Sequence, residues 1–224
     1  MKLKTLIGYM ICMTLLSVEL TAQVNVRVGY IASFPQLSVN DNLLASFDPV
    51  NGEVSDGFGS TGFMQGLQLG LRYRVGNFAI EAGWESVSRD RSALIFNTTS
   101  DSFTNREYNY SLSSYRTGID NYFGKYGLGT TLMYQSLKIE RIIGNNELPI
   151  TKERKLGLRL EFIWQVQESP FISFEIRPFY QFSLGDYNLS GLAEDLGLAA
   201  SVDVMESPKM WGLSLVFYNG RQRK

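Results

Sequence analysis

The sequence predicts an all-β fold, an eight-stranded antiparallel transmembrane β-barrel with short periplasmic turns and long extracellular loops. Three observations predict it: eight stretches alternate apolar and polar residues with period two, the connections between them alternate long and short, and a secretory leader precedes them. A strand points successive side chains to opposite faces, so each stretch has one apolar face and one face of charge or glycine. Phe78-Ala79-Ile80-Glu81-Ala82-Gly83-Trp84-Glu85 and Leu156-Gly157-Leu158-Arg159-Leu160-Glu161-Phe162 show the pattern clearly.

The leader has a basic start at Lys2 and Lys4, a mostly apolar run from Leu6 to Val18, and the small residue Ala22 before Gln23. This predicts a signal peptide over 1–22, cleaved near Ala22, and one barrel domain over 23–224. The only cysteine, Cys12, falls in the leader, which excludes disulfides, thiol catalysis and cysteine metal sites from the mature chain. There is no histidine, the commonest general base and metal ligand. A formal net charge of −1 argues against a nucleic-acid partner, which calls for a basic face. No stretch after the leader approaches the roughly 20 apolar residues of a spanning helix, whereas a spanning strand needs only about 9 to 11.

Strands are predicted at 24–33, 63–75, 78–88, 108–123, 126–139, 155–167, 171–184 and 208–218. Gly76-Asn77, Gly124-Lys125 and Glu168-Ser169-Pro170 are rich in turn formers and supply the short periplasmic connections. The segments 34–62, 89–107, 140–154 and 185–207 are read as the long extracellular loops. Within the last of these, Gly191 to Ala200 reads as a short helix weakened by its glycines. An even strand number leaves both termini on the periplasmic side.

Period two alone does not say whether the apolar face meets lipid or a soluble protein's core. Two further patterns favour lipid outside. Gly29, Gly70, Gly83, Gly118, Gly127, Gly129, Gly157 and Gly212 share the polar parity of their strands, as a crowded lumen needs small residues beside large ones. Tyr30, Tyr73, Phe78, Trp84, Tyr126, Trp164, Trp211 and Phe217 lie on the apolar parity toward strand ends, where rings suit the membrane interfaces.

The predicted lumen then carries Arg27, Arg72, Arg74, Glu81, Glu85, Arg116, Asp120, Arg159, Glu161, Glu175 and Arg177. The arginines and acids nearly cancel, which predicts an ion-pair network. The turn at Gly76-Asn77 sets Arg72 opposite Glu81, and the turn at 168–170 sets Glu161 opposite Arg177. Such a set either plugs a narrow tube or lines a selective pore.

At these residues the chain resembles the eight-stranded outer-membrane β-barrels of the porin-like family, akin to the transmembrane domain of outer-membrane protein A. Its most family-like stretch runs from Ser113 to Gly129, where a strand ends in Tyr122-Phe123, turns tightly and restarts with alternating glycine. The resemblance covers the leader and Val24 to Tyr218, and implies a cell outer membrane location in a Gram-negative bacterium, with membrane lipid as partner.

Asp41, Asp48, Glu53 and Asp56 in the first long loop, with Asp186, Glu194, Asp195, Asp203 and Glu206 in the last, have no lysine or arginine among them. Barrel closure sets these loops side by side, so the nine acids are expected to share one sector of the outer rim. Divalent cations such as Ca²⁺ or Mg²⁺ would suit such oxygen ligands. No cofactor is implied, and enzyme activity is not expected: a histidine-activated serine is impossible, and there is no Gly-x-Ser-x-Gly elbow. The function expected is a structural or surface-interaction role through the extracellular loops. A narrow porin-like channel for water or small ions, and a soluble lipocalin-like carrier of an apolar ligand, are the alternatives.

Overall fold

The structure is a computed structural model that describes residues 23–49, 52–60, 62–168, 171–198 and 204–219. The leader, Ser169, Pro170 and Asp203 lie outside the described residues. In chain order the elements are β1 (Gln23–Gln36), α1 (Ser38–Ala45), β2 (Gly52–Asp56), β3 (Met64–Val75), β4 (Phe78–Asn97), β5 (Ser102–Phe123), β6 (Tyr126–Ile143), β7 (Asn146–Glu168), β8 (Ile172–Ser183), β9 (Tyr187–Asn188), α2 (Ser190–Asp195), β10 (Met205–Glu206) and β11 (Lys209–Asn219). Strands β1, β3, β4, β5, β6, β7, β8 and β11 pair with their neighbours, and the first pairs with the last, so the sheet closes. Every pairing in the ring is antiparallel. Gly76 and Gly124 make the tight turns with φ of +57° and +69°, a region that favours glycine.

The apolar parity faces out. Val24 and Leu67 are 63 % and 61 % exposed, and Ile80, Ile119, Leu128 and Leu160 are likewise turned outward, as are all eight end-of-strand aromatics. Inside, Arg72, Arg159 and Arg177 are 0 % exposed. Exposed apolar residues lie on all eight barrel strands and so encircle the protein, which no isolated patch on a soluble monomer does, so hydrocarbon is its solvent. The soluble-carrier alternative is thereby overturned, since a carrier would bury these leucines and valines and wear its charges outside.

Two of the expected long loops are not loops. Residues 89–97 and 102–107 continue β4 and β5 as a hairpin, and 140–143 and 146–154 continue β6 and β7. These segments carry charges on both faces, which hides the strand alternation. Above a membrane both faces of a hairpin meet polar surroundings, so charge does not break the strand. Short β2 adds to the upper edge of β4, pairing Gly52 with Asn97 and Val54 with Ile95.

The other two long segments fold inward, and this corrects the expectation of a polar lumen along the whole tube. The interior has two layers. The periplasmic half holds the charged residues. Toward the outer end the inward positions are Ile31, Val87, Leu112, Leu137, Ile139 and Met210, packed against Leu44 and Phe47 of the first segment and Leu192 and Leu196 at α2. Burying each such side chain contributes about 1.5–3 kcal/mol, which fixes both short helices in the mouth without side-chain caps.

Candidate functional site: the ionic layer and its apolar lid

All eleven predicted charged residues lie inside the periplasmic half and are buried. Strand alternation puts them there, and closure brings side chains from six strands into one cross-section. Arg177 on β8 is the hub: its Nη2 donates to Glu81 Oε1 at 2.9 Å, Asp120 Oδ2 at 2.9 Å and Glu175 Oε2 at 2.6 Å, and its Nη1 donates to Glu161 Oε2 at 3.0 Å. Glu81 in turn accepts from Arg27 at 2.5 Å and from the Tyr218 hydroxyl at 2.6 Å. Arg116 reaches Glu161 at 3.2 Å, and Arg159 forks onto both oxygens of Glu85, with Nη1 to Oε2 at 2.8 Å.

The partners differ from those the turns alone predict. Arg72 does face Glu81 in register, but its Nη1 donates to Glu175 at 2.9 Å. Glu161 faces Phe179 rather than Arg177, two residues from the expected register, because β7 and β8 pair from Glu168 with Ser173, farther along β8 than the predicted turn sets them, and the bulge between Gln165 and Gln167 takes back only one residue of that offset. The Arg177–Glu161 pair forms diagonally instead. A narrow lumen lets long side chains reach across the tube, so the ladder neighbour is only one of several partners within range.

Neutral residues on the same parity complete the layer. Tyr122 accepts from Arg72 at 3.1 Å and carries the Arg74 guanidinium over its ring at 3.9 Å. The Tyr218 ring lies 3.4 Å beneath the Arg72 guanidinium, and Gln181 accepts from Arg159 Nε at 2.8 Å. Sequence reasoning restricted to charge passed over them, although shared parity with the arginines marks them. Glycine makes the space: a Cβ on Gly129 would come within 2.5 Å of Asp120 Oδ1, and one on Gly212 within 2.4 Å of the Phe179 ring.

An isolated buried charge costs several kcal/mol, and only dense mutual pairing offsets that. Among the described residues, the one trio of carboxylates whose oxygens lie within 4.8 Å of one another is Glu81, Asp120 and Glu161. Arg177 donates to all three, so a guanidinium occupies the position a cation would take.

The acidic rim does not assemble as the sequence suggests. Asp41 pairs with Arg91 of β4 at 2.8 Å. Asp195, across the mouth, pairs with Arg106 of β5 at 2.8 Å and Arg141 of β6 at 3.1 Å, and accepts from the Tyr108 hydroxyl at 2.5 Å. Glu206 accepts from the Asn40 backbone N–H of α1 at 2.9 Å. Arginines from the strand extensions, assigned to other loops by sequence, thus neutralise acids of the helical segments. No three rim acids converge among the described residues. Burial works to raise the Asp195 pKa, but the hydrogen bonds from Tyr108, Arg106 and Arg141 outweigh it and hold the carboxyl below its ordinary value.

A closed eight-stranded barrel with an apolar belt outside and paired charges inside defines a transmembrane β-barrel of the outer-membrane class, and the protein resides in the outer membrane with lipid around it. No protein-family model and no curated protein matches the chain by sequence. Among solved structures it is similar to Neisserial surface protein A, with a TM-score of 0.47 and 10 % identity over 89 % of this chain and 98 % of that one. It is similar also to Ail, the attachment invasion locus protein of Yersinia pestis, at 0.45 and 12 % over 87 % and 97 %. The outer membrane protease OmpT from Escherichia coli gives 0.37 and 7 % over 88 % and 96 %.

Proposed function

We propose that this protein is a non-conducting, non-enzymatic outer-membrane barrel that acts at the cell surface through the parts that rise above the lipid belt. The observation that supports the reading is the burial of Arg177 and the four acids it binds, Glu81, Asp120, Glu161 and Glu175, each at most 2 % exposed. The lack of histidine supports a non-catalytic role. The β4–β5 and β6–β7 extensions, with the outward Phe96–Phe103 ring pair at 5.1 Å, offer a strand-built surface for contact with other molecules.

Single-channel recording of the refolded chain in planar bilayers tests the reading. Absence of ion current from the native barrel is the expected result. Steady conductance that persists when the mouth helices are in place would instead establish the narrow-channel alternative.

A further inference from the structure

The register of four strands sets residues on the outer surface in rows. Trp84, Tyr115, Tyr134 and Leu156 face one another in turn across β4, β5, β6 and β7, all on the outward parity and exposed. Such rings mark where the lipid belt ends on its extracellular side. Two residues farther up each strand the row reads Ser86, Ser113, Ser136 and Arg154, and two farther again it reads Ser88, Ser111, Lys138 and Lys152. The two upper rows are therefore neutral over β4 and β5 and cationic over β6 and β7.

These cations lack matching acids. Lys138 and Lys152 are direct neighbours across the ladder, and like charges so placed destabilise a sheet unless an anion joins them. Glu140 pairs with Lys138 at 2.5 Å, while Glu153, on the inward parity, is taken by Lys155 at 3.4 Å. Among the described residues no carboxylate lies within ion-pair distance of Lys152 or Arg154, and both side chains are exposed. Three cations against one acid leave this sector of the flank positive.

Height says what kind of anion meets it. A strand rises about 3.4 Å per residue and tilts by about 35–45° in a membrane barrel, so Arg154 sits about 5 Å above the ring of aromatics and the two lysines about 10 Å above it. A headgroup layer is about 5–7 Å deep, and lysine stems bend several ångströms toward it while keeping their ammonium groups in polar surroundings.

We propose that Lys138, Lys152 and Arg154 hold the phosphate of an anionic lipid in the outer leaflet, on the β6–β7 flank of the barrel. The Arg154 guanidinium matches two phosphate oxygens with its planar fork, and the lysines supply point charges from above. A soluble acidic partner would have no reason to favour cations placed directly over the aromatic row, whereas a lipid phosphate is confined to that height. The site lies on the outer flank, so the conduction result for the lumen does not bear on it.

The test uses the mature chain refolded in phosphatidylcholine vesicles that carry either spin-labelled phosphatidic acid or spin-labelled phosphatidylcholine, with electron spin resonance reading the fraction of each probe held at the protein surface. The native barrel is expected to prefer phosphatidic acid several-fold. Lys152→Gln with Arg154→Gln should remove most of that preference and Lys138→Gln part of it, while Lys209→Gln, which removes an exposed cation from β11 away from the cluster, should leave it unchanged. Equal retention of the two probes by the native barrel would overturn the proposal. A preference that survives in the folded double variant, or that Lys209→Gln lowers as much, would do so too. Binding of soluble polyglutamate that the double variant loses, without any lipid preference, would assign the cluster to an acidic macromolecule instead. Lys138→Gln alone keeps the test decisive should the double variant fail to fold.

Discussion

Arg72 and Glu175 form an ion pair across the lumen, 2.9 Å apart and fully buried, although Arg72 lies directly opposite Glu81 on the neighbouring strand. The long guanidinium spans the tube while the shorter carboxylate of Glu81 turns to the Arg177 hub. A double-mutant cycle separates the two relationships. For Arg72→Met with Glu175→Gln, urea unfolding in lipid vesicles should give a coupling of about 0.5–3 kcal/mol, the range for residues in direct contact. The same cycle with Glu81→Gln should give a clearly smaller value.

The hub itself is the most sensitive point. Arg177→Ala leaves Glu81, Asp120, Glu161 and Glu175 facing one another without their shared donor. Removing one partner of a buried pair costs about 3–5 kcal/mol, and four acids share this one. The heat-modified gel shift of the folded barrel should move to markedly lower temperature. Arg177→Lys should recover only part of the loss, because a single ammonium does not reproduce the planar fork.

Gly212 faces Phe179 across the β8–β11 ladder, and the ring occupies the space a side chain would fill. Gly212→Val should cost about 1–3 kcal/mol through overpacking. Phe179→Ala alone costs about 3–5 kcal/mol, so recovery is read from the cycle: Gly212→Val should cost less in the Phe179→Ala background than in the native one, in the same unfolding measurement. A merely conformational role for the glycine predicts no recovery.

The fold was legible because one physical pattern, period two with charge and glycine on a single parity, runs through all eight barrel strands and fixes which side meets lipid. The partners inside were less legible. Glu161 and Arg177 miss the register read from their turn because β7 and β8 begin pairing at Glu168 with Ser173, beyond the turn the sequence suggests, and the bulge at Gln165/Gln167 offsets only one residue of the difference. The outer end was misread for a different reason: Ile31, Leu112 and Leu137 are apolar on the lumen parity, and nothing local says that Leu44 or Leu192 from distant segments will pack on them. Arg91, Arg106 and Arg141 illustrate the same limit, as each meets an acid far away in the chain.

The mouth helices should respond to acid with a sign set by two carboxylates. Asp195 has a folded pKa held below its ordinary value of 3.8, so its contribution is complete at neutral pH and is lost as pH falls through the depressed value. Glu206 has the opposite sense. Burial lifts its pKa above 4.5, partly offset by backbone N–H bonds from Asn40 and Val39, so its contribution is present below 4.5 and is lost as pH rises through the raised value. Hydrogen exchange of the Leu192 and Leu196 amides should therefore stay slow from neutral pH down to the ordinary aspartate range and accelerate below it, after correction for the intrinsic pH dependence of exchange. Asp195→Asn keeps an acceptor for Tyr108 and loses the charge that Arg106 and Arg141 require. It should speed exchange at neutral pH and remove the acid step, while Glu206→Gln should leave that step in place. An acid step unchanged in Asp195→Asn would assign the holding of α2 to its leucines alone.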